Sequence, residues 1–196
     1  YQEHYSYYSF TTVEAVFAAH GITLFDVDET SIHGGSLRIY GKHADNPAYP
    51  VSERVYDLKA REEAAGVREL GTYFAFAEKV KETKRQLLDF LIEAKRSGKT
   101  VCGYGAPGKA ATLLNYCGIG TDFIDYTVDR NPYKQGNFTP GTHIPIYAPE
   151  RLRETQPDYL LILPWNLVDE ISAQTDYIRE WGGKWVVPIP ACRVIE

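Results

Sequence analysis

Methionine is absent from this sequence, cysteine occurs three times in 196 residues, and no apolar run approaches the ~20 residues that cross a bilayer. With no charged-then-apolar leader either, the chain reads as a cytoplasmic protein with no membrane partner. Cys102, Cys117 and Cys192 form no CxxC pair, and their odd number argues against a disulfide framework, so buried thiols are the simplest reading. His20, His33, His43 and His143 have no metal-ligand spacing with each other or with cysteine, and no metal is expected. Positive charge is also scarce. The 21 Lys and Arg residues face 26 Asp and Glu, leaving a net charge of -5, which excludes the clustered cations of a nucleic-acid reader. Any phosphorylated partner is therefore expected to be a small molecule. The lack of an initiator methionine, ahead of first residues dense in polar aromatics, points to a piece of a longer protein whose opening run lies at a domain junction.

What is present divides into three textures. Residues 1–50 read as a junction segment and a β-hairpin. Ser9 or Thr11 caps a short helix through Val13, Val16 and Phe17, with Glu14 as capping-box partner of Thr11. Strands at Ile22–Val27 and Ser36–Tyr40 then flank a turn at His33-Gly34-Gly35. Residues 51–98 are rich in helix formers and spaced for two helices, broken between Gly66 and Gly71. Residues 99–196 alternate strand and helix: strands at Thr100–Tyr104, Phe123–Val128, Tyr159–Leu163 and Trp185–Val187, with helices at Gly108–Tyr116, from Pro149 and at Leu167–Trp181. The fold class is α/β, a Rossmann-like, mostly parallel sheet flanked by helices and preceded by a small hairpin and a long helical segment.

Four constellations carry possible chemistry. Gly103-Tyr104-Gly105-Ala106-Pro107-Gly108 matches GxGxxG between a strand and a helix, with Lys109 in the first helical turn and Asp129 at the distance of a ribose-binding acid. Such a loop brings backbone amides to a pyrophosphate. It equally serves a tight strand-to-helix crossover, and Pro107 removes one donor. Asp129-Arg130-Asn131-Pro132-Tyr133-Lys134 lies at the sheet's carboxyl edge, where Arg130, Asn131 and Lys134 suit phosphate or ribose, or else form a polar turn. His33-Gly34-Gly35-Ser36 either places His33 at a cleft or simply turns the hairpin. In Tyr1-Gln2-Glu3-His4, a histidine beside a carboxylate and a phenol is a general base if the groups converge, and an ordinary structural histidine if they do not.

Taken together, Tyr1-Gln2-Glu3-His4, His33-Gly34-Gly35-Ser36-Leu37-Arg38, Gly103-Tyr104-Gly105-Ala106 with Lys109, and Asp129 through the distinctive Pro140-Gly141-Thr142-His143-Ile144-Pro145-Ile146 resemble the carboxy-terminal domain of SAM-dependent sugar C-methyltransferases. The resemblance covers essentially the whole chain. It implies a partner in which a zinc-binding region and a SAM-binding domain precede this domain, and an acceptor that is a dTDP-linked keto-deoxysugar methylated at carbon 3. It further implies His4 as catalytic base with Glu3 and Tyr1 assisting, and Gly103, Gly105, Ala106, Lys109, Asn131, Lys134 and His33 on the substrate side. The cofactor SAM would belong to the upstream domain, so the chain alone should not methylate. Two other classes remain open on the residues: an NAD-binding oxidoreductase domain, favoured by the glycine loop and Asp129, and a noncatalytic interaction domain.

Overall fold

A short helix and a hairpin come first, helical spacing follows, and short uniformly apolar strands come last; the architecture follows those textures. The computed structural model describes residues 5–196 and, for His33, the backbone alone. Two compact units result, one made of the described residues up to Glu78 and the other of Lys79–Glu196.

In the first unit, α1 (Phe10–Ala18) and α2 (Glu53–Ala64) cover a hairpin of β1 (Ile22–Thr30) and β2 (Ser36–His43). Ser9, not Thr11, is the N-cap of α1, accepting from the Thr12 amide at 3.2 Å. The remaining first-turn amides would lack partners in an isolated helix. Here α2 supplies one: the Glu62 carboxylate accepts from the amides of Phe10 (2.6 Å) and Thr11 (2.8 Å) and from the Thr11 hydroxyl (2.6 Å). A negative charge at that end also suits the helix dipole. Glu14, expected as the capping-box acid, instead pairs with Lys59 at 2.7 Å.

The strands of the hairpin run further than their sequence signals, pairing from Ile22 with His43 to Thr30 with Ser36, with an irregularity between Leu24 and Asp26. Its turn includes a 3-10 segment, Ile32–Gly34, and needs φ of 88° at Gly34 and 127° at Gly35, a region other residues avoid. Phe10, Leu24, Val27, Val55 and Leu58 form the small core. Around it Arg54 pairs with both Asp26 and Asp28, and Arg61 with Glu29.

The helix α3 (Leu70–Arg96) begins in the first unit, and from Lys79 onward it belongs to the second. There Leu87, Leu91 and Ala94 pack on one face of a six-stranded sheet of order β5-β4-β3-β6-β7-β8. Its strands are β3 (Val101–Tyr104), β4 (Thr127–Val128), β5 (Ile146–Tyr147), β6 (Tyr159–Ile162), β7 (Lys184–Val187) and β8 (Arg193–Ile195). All pairings are parallel except β7 with β8. This is the doubly wound order of a Rossmann sheet, with β3 and β6 at the point where strand order reverses. The helix α4 (Gly108–Cys117) covers the α3 face, while Val128, Leu160, Ile162, Ile178 and Trp185 form the core on the other. Uniformly apolar strands are what burial on both faces demands.

Three expectations shift. The strand expected from Phe123 shrinks to β4, because the amides of Phe123 and Ile124 both turn back to the Gly120 carbonyl, at 3.1 and 3.0 Å. The short helix expected from Pro149 is α5 (Arg151–Thr155). The last expected helix is three pieces: a 3-10 turn at Trp165–Leu167, α6 (Val168–Gln174) and a second 3-10 segment at Asp176–Trp181. The break falls at buried Thr175, whose hydroxyl donates to the Ile171 carbonyl (2.6 Å) and accepts from the Trp185 indole (2.8 Å).

At the amino edge of the sheet, Asp158 ties β6 to β3, accepting from Lys99 Nζ (2.8 Å) and from the Thr100 amide and hydroxyl (2.9 Å each). Lys99 above all, with the Thr100 amide, pulls its carboxyl from 3.8 to about 2. A depressed folded-state pKa contributes stability that is full above the unfolded value and lost as pH falls through the folded one. Urea midpoints measured against pH should therefore show wild type losing stability between pH 3.8 and about 2, and Asp158→Asn lacking that component.

Candidate functional site

The loops after β3, β4 and β6 converge at the carboxyl edge of the sheet, where doubly wound proteins hold ligands. The loop after β3 carries the glycine motif, and each of its first two glycines has a close internal neighbour. A Cβ on Gly103 would lie 2.8 Å from Thr127 Oγ1 and 3.0 Å from Leu163 Cδ1. One on Gly105, whose φ is +84°, would meet Pro164 Cδ at 2.8 Å and Cγ at 2.9 Å. The glycines thus let β4 and the loop after β6 approach β3 closely.

The polar groups of the loop are also engaged. Asp129 accepts from the Ala106 amide (2.8 Å) and the Asn131 amide (2.9 Å), while Lys134 Nζ reaches both that carboxylate (3.0 Å) and the Ala106 carbonyl (3.1 Å). Burial pushes the Asp129 carboxyl up, but the Asn131 and Ala106 amides with Lys134 outweigh it and hold the group below its ordinary range. The Asn131 side chain accepts from the Tyr133 amide at 3.0 Å, closing a local turn. Lys109 lies over the Trp165 ring, 5.1 Å from its centroid, and donates to Asn166 Oδ1; burial lowers its pKa.

The residues expected to face substrate are therefore brought together in part. Gly103, Gly105, Ala106, Lys109, Asn131 and Lys134 share this edge. Tyr1, Glu3 and His4 lie outside the described residues, and of His33 only the backbone in the hairpin turn is described. Pro164, Trp165 and Asn166 are additions. Their signal was a Pro-Trp-Asn run directly after an apolar strand, at the strand-order reversal. The amide that would greet a pyrophosphate is held by Asp129, and Pro164 packs against Gly105. These residues do not offer the usual cradle for a dinucleotide or for the adenosyl part of SAM.

On the opposite face of β3, a shallow cleft of about 290 Å³ is lined by Tyr104, Arg130, Glu150, Arg153, Gln174 and Tyr177. Arg153 stacks on Tyr177 with its guanidinium carbon 3.9 Å from the ring centroid. The string from Pro140 to Ile146 is anchored to α4: Asn115 Nδ2 donates to the Pro140 carbonyl at 2.9 Å, and Gly141 sits against Asn115 with φ +79°. Cys102 and Cys117 are buried and Cys192 partly so; burial pushes the Cys102 thiol up to about 12 and that of Cys192 to about 11. Neither is poised as a thiolate nucleophile. Among the described residues no cluster of three His, Cys, Asp or Glu side chains is placed to hold a metal, and no helix is long and apolar enough to cross a membrane.

Residues 31–190 match the family model described as the C-methyltransferase C-terminal domain. The chain is 37% identical over 195 residues to C-methyltransferase NovU of Streptomyces niveus, covering 100% of this chain and 46% of that relative, so it spans about half the relative's length. Among solved structures it is similar to UDP-D-quinovosamine 4-dehydrogenase from Vibrio fischeri, with TM-score 0.38 and 17% identity over 50% of this chain and 93% of the other.

The Asp129 contacts generate a direct expectation. Asp129→Asn removes the charge that Lys134 and two amides share, and should lower stability at pH 7 by about 1.5–3 kcal/mol in urea unfolding. Because the wild-type carboxyl is held low, the difference from the variant should be full above the ordinary carboxylate range and shrink as pH falls below it.

Proposed function

This chain belongs to the C-methyltransferase C-terminal domain family, and from that premise we propose that it is the substrate-binding and catalytic-base domain of a SAM-dependent C-methyltransferase acting on a nucleotide-linked keto-deoxysugar. The observation that carries the reading is the family match across residues 31–190 together with 37% identity to a named C-methyltransferase along the full chain. The glycine loop supports it in a second way. With the Ala106 amide given to Asp129 and Pro164 against Gly105, the rival nicotinamide-dependent reading loses the feature that favoured it.

In this proposal the chain's own task is to move a proton. His4 takes it from the sugar carbon beside the ketone, as a base with a pKa near neutrality does efficiently. Glu3 and Tyr1 assist, the phenol donating to the enolate oxygen as its charge develops. SAM, bound by a domain upstream of this one, supplies the methyl group to which that carbon bonds. Gly103, Gly105 and Ala106 shape the sheet edge, Lys109, Asn131 and Lys134 present polar groups to the dTDP moiety, and His33 stands on the sugar side. A zinc-binding region further upstream completes the domain order we propose, in a cytoplasmic protein.

Two measurements test the reading. Titration of dTDP and of NAD into the chain should show saturable dTDP binding and a raised melting temperature, since a ligand that binds only the native state stabilises it; NAD binding without dTDP binding would reverse the assignment. In the longer protein, His4→Ala should abolish methylation while dTDP-sugar affinity stays within about tenfold, ~1.4 kcal/mol. Undiminished methylation removes His4 from the reaction.

A further inference from the structure

The first unit carries an apolar surface left open to solvent. Leu70, Tyr73, Phe74 and Phe76, at the start of α3, are 54–68% exposed. Residues three and four apart are neighbours on a helix surface, so Leu70 borders Tyr73 and Phe74, and Tyr73 borders Phe76. The Tyr73 hydroxyl already donates to the Val67 carbonyl at 2.6 Å, which leaves its ring as the part on offer. At ~200 Å² for a side chain of this size the four together expose roughly 500 Å². That lies high in the ~300–600 Å² range of the largest apolar patch on a typical monomer, and such patches mark interaction sites.

The helix is also short of support there. Every residue from Tyr73 to Lys79 is exposed, whereas helices in proteins owe most of their stability to tertiary packing. Phe and Tyr are middling helix formers, and Gly71 and Thr72 stand just before them. A packed partner would supply what this stretch lacks.

Three surfaces compete for the role. The second unit has no bare sheet face to give: α4 and the later part of α3 cover one side, and Leu152 of α5 and Ile171 of α6 join the core on the other. A second copy must associate from dilute solution, while a domain on the same polypeptide acts at an effective concentration on the order of mM. C-methyltransferase NovU has more than half its length outside the part this chain matches, and the matched family is a C-terminal domain, which puts that remainder ahead of it. Chain arriving from there enters the same unit that bears the patch, by way of α1.

We propose that the face of α3 formed by Leu70, Tyr73, Phe74 and Phe76 is the seat of the SAM-binding domain that precedes this one. The assignment rests on the domain order proposed above and on no particular substrate. Hydroxyl-radical footprinting of the longer protein and of the present chain tests it without any substitution, because trypsin releases all four residues on one peptide, 69–79. Interface cores pack as tightly as protein interiors, so this peptide should oxidise about fivefold more slowly, or less, in the longer protein than in the chain alone. Phe74→Glu should leave the melting temperature of the chain within about 2 °C, as exposed substitutions do, yet return Tyr73 oxidation in the longer protein to the rate of the chain. Equal oxidation in both proteins overturns the proposal. So does protection in the chain alone, which assigns the face to a second copy if it grows with protein concentration and to the chain's own second unit if it does not. A large fall in melting temperature for Phe74→Glu in the chain likewise overturns it. None of these outcomes bears on dTDP titration, so the nucleotide-sugar reading stands or falls separately.

Discussion

Thr127 and Leu163 leave no room for a side chain on Gly103, and the middle of the larger sheet depends on that closeness. With β4 and the end of β6 drawn against β3, the Thr127 hydroxyl reaches the Gly105 carbonyl at 3.1 Å and the Gly105 amide reaches the Val128 carbonyl at 2.6 Å. The loop after β3 is then pressed onto Pro164 on one side and held by Asp129 on the other. Any larger residue at Gly103 or Gly105 would have to separate strands whose faces are buried on both sides of the sheet. Close packing makes such separation expensive.

The same closeness changes what a glycine-rich loop does. In a dinucleotide fold the loop's amides wait for a phosphate, and the helix behind them adds a positive end. Here a carboxylate of the chain itself takes an amide, and a lysine of the chain neutralises the carboxylate. The local electrostatics are closed before any ligand arrives. What the edge still presents is side-chain chemistry: the lysine over Trp165, the turn at Asn131, and the arginines on the far side of β3. Recognition there would depend on those side chains rather than on a backbone cradle.

The sequence announced the larger unit well where its elements were long or sharply punctuated. Gly98 and Gly108 bracket β3, and the apolar run from Tyr159 marks β6, because burial on both faces leaves a plain hydrophobic signature. It announced β5 and β8 not at all: two or three residues carry no period, and those strands exist because a neighbouring strand offers unpaired backbone. The cap of α1 was legible only as a choice between Ser9 and Thr11, since the deciding partner, Glu62, lies about fifty residues away in sequence. For the site, the distance from the glycine loop to Asp129 was readable, but the direction of its carboxylate was not, as it follows from the turn that Asn131 closes. The opening run gained meaning through resemblance rather than through residue chemistry, since a histidine beside a carboxylate and a phenol is a base only where the groups converge.

The carboxylate of Glu62 has a further consequence for how the smaller unit opens and closes. Amides in the first turn of a surface helix ordinarily exchange with solvent almost freely, because fraying costs little. Those of Phe10 and Thr11 are bonded to a side chain of α2, so fraying of this turn also requires the Glu62 carboxylate to let go. Opening of this helix end is thereby coupled to the contact between α1 and α2 rather than to helix fraying alone, and the stretch of chain leading into α1 starts from a pinned point.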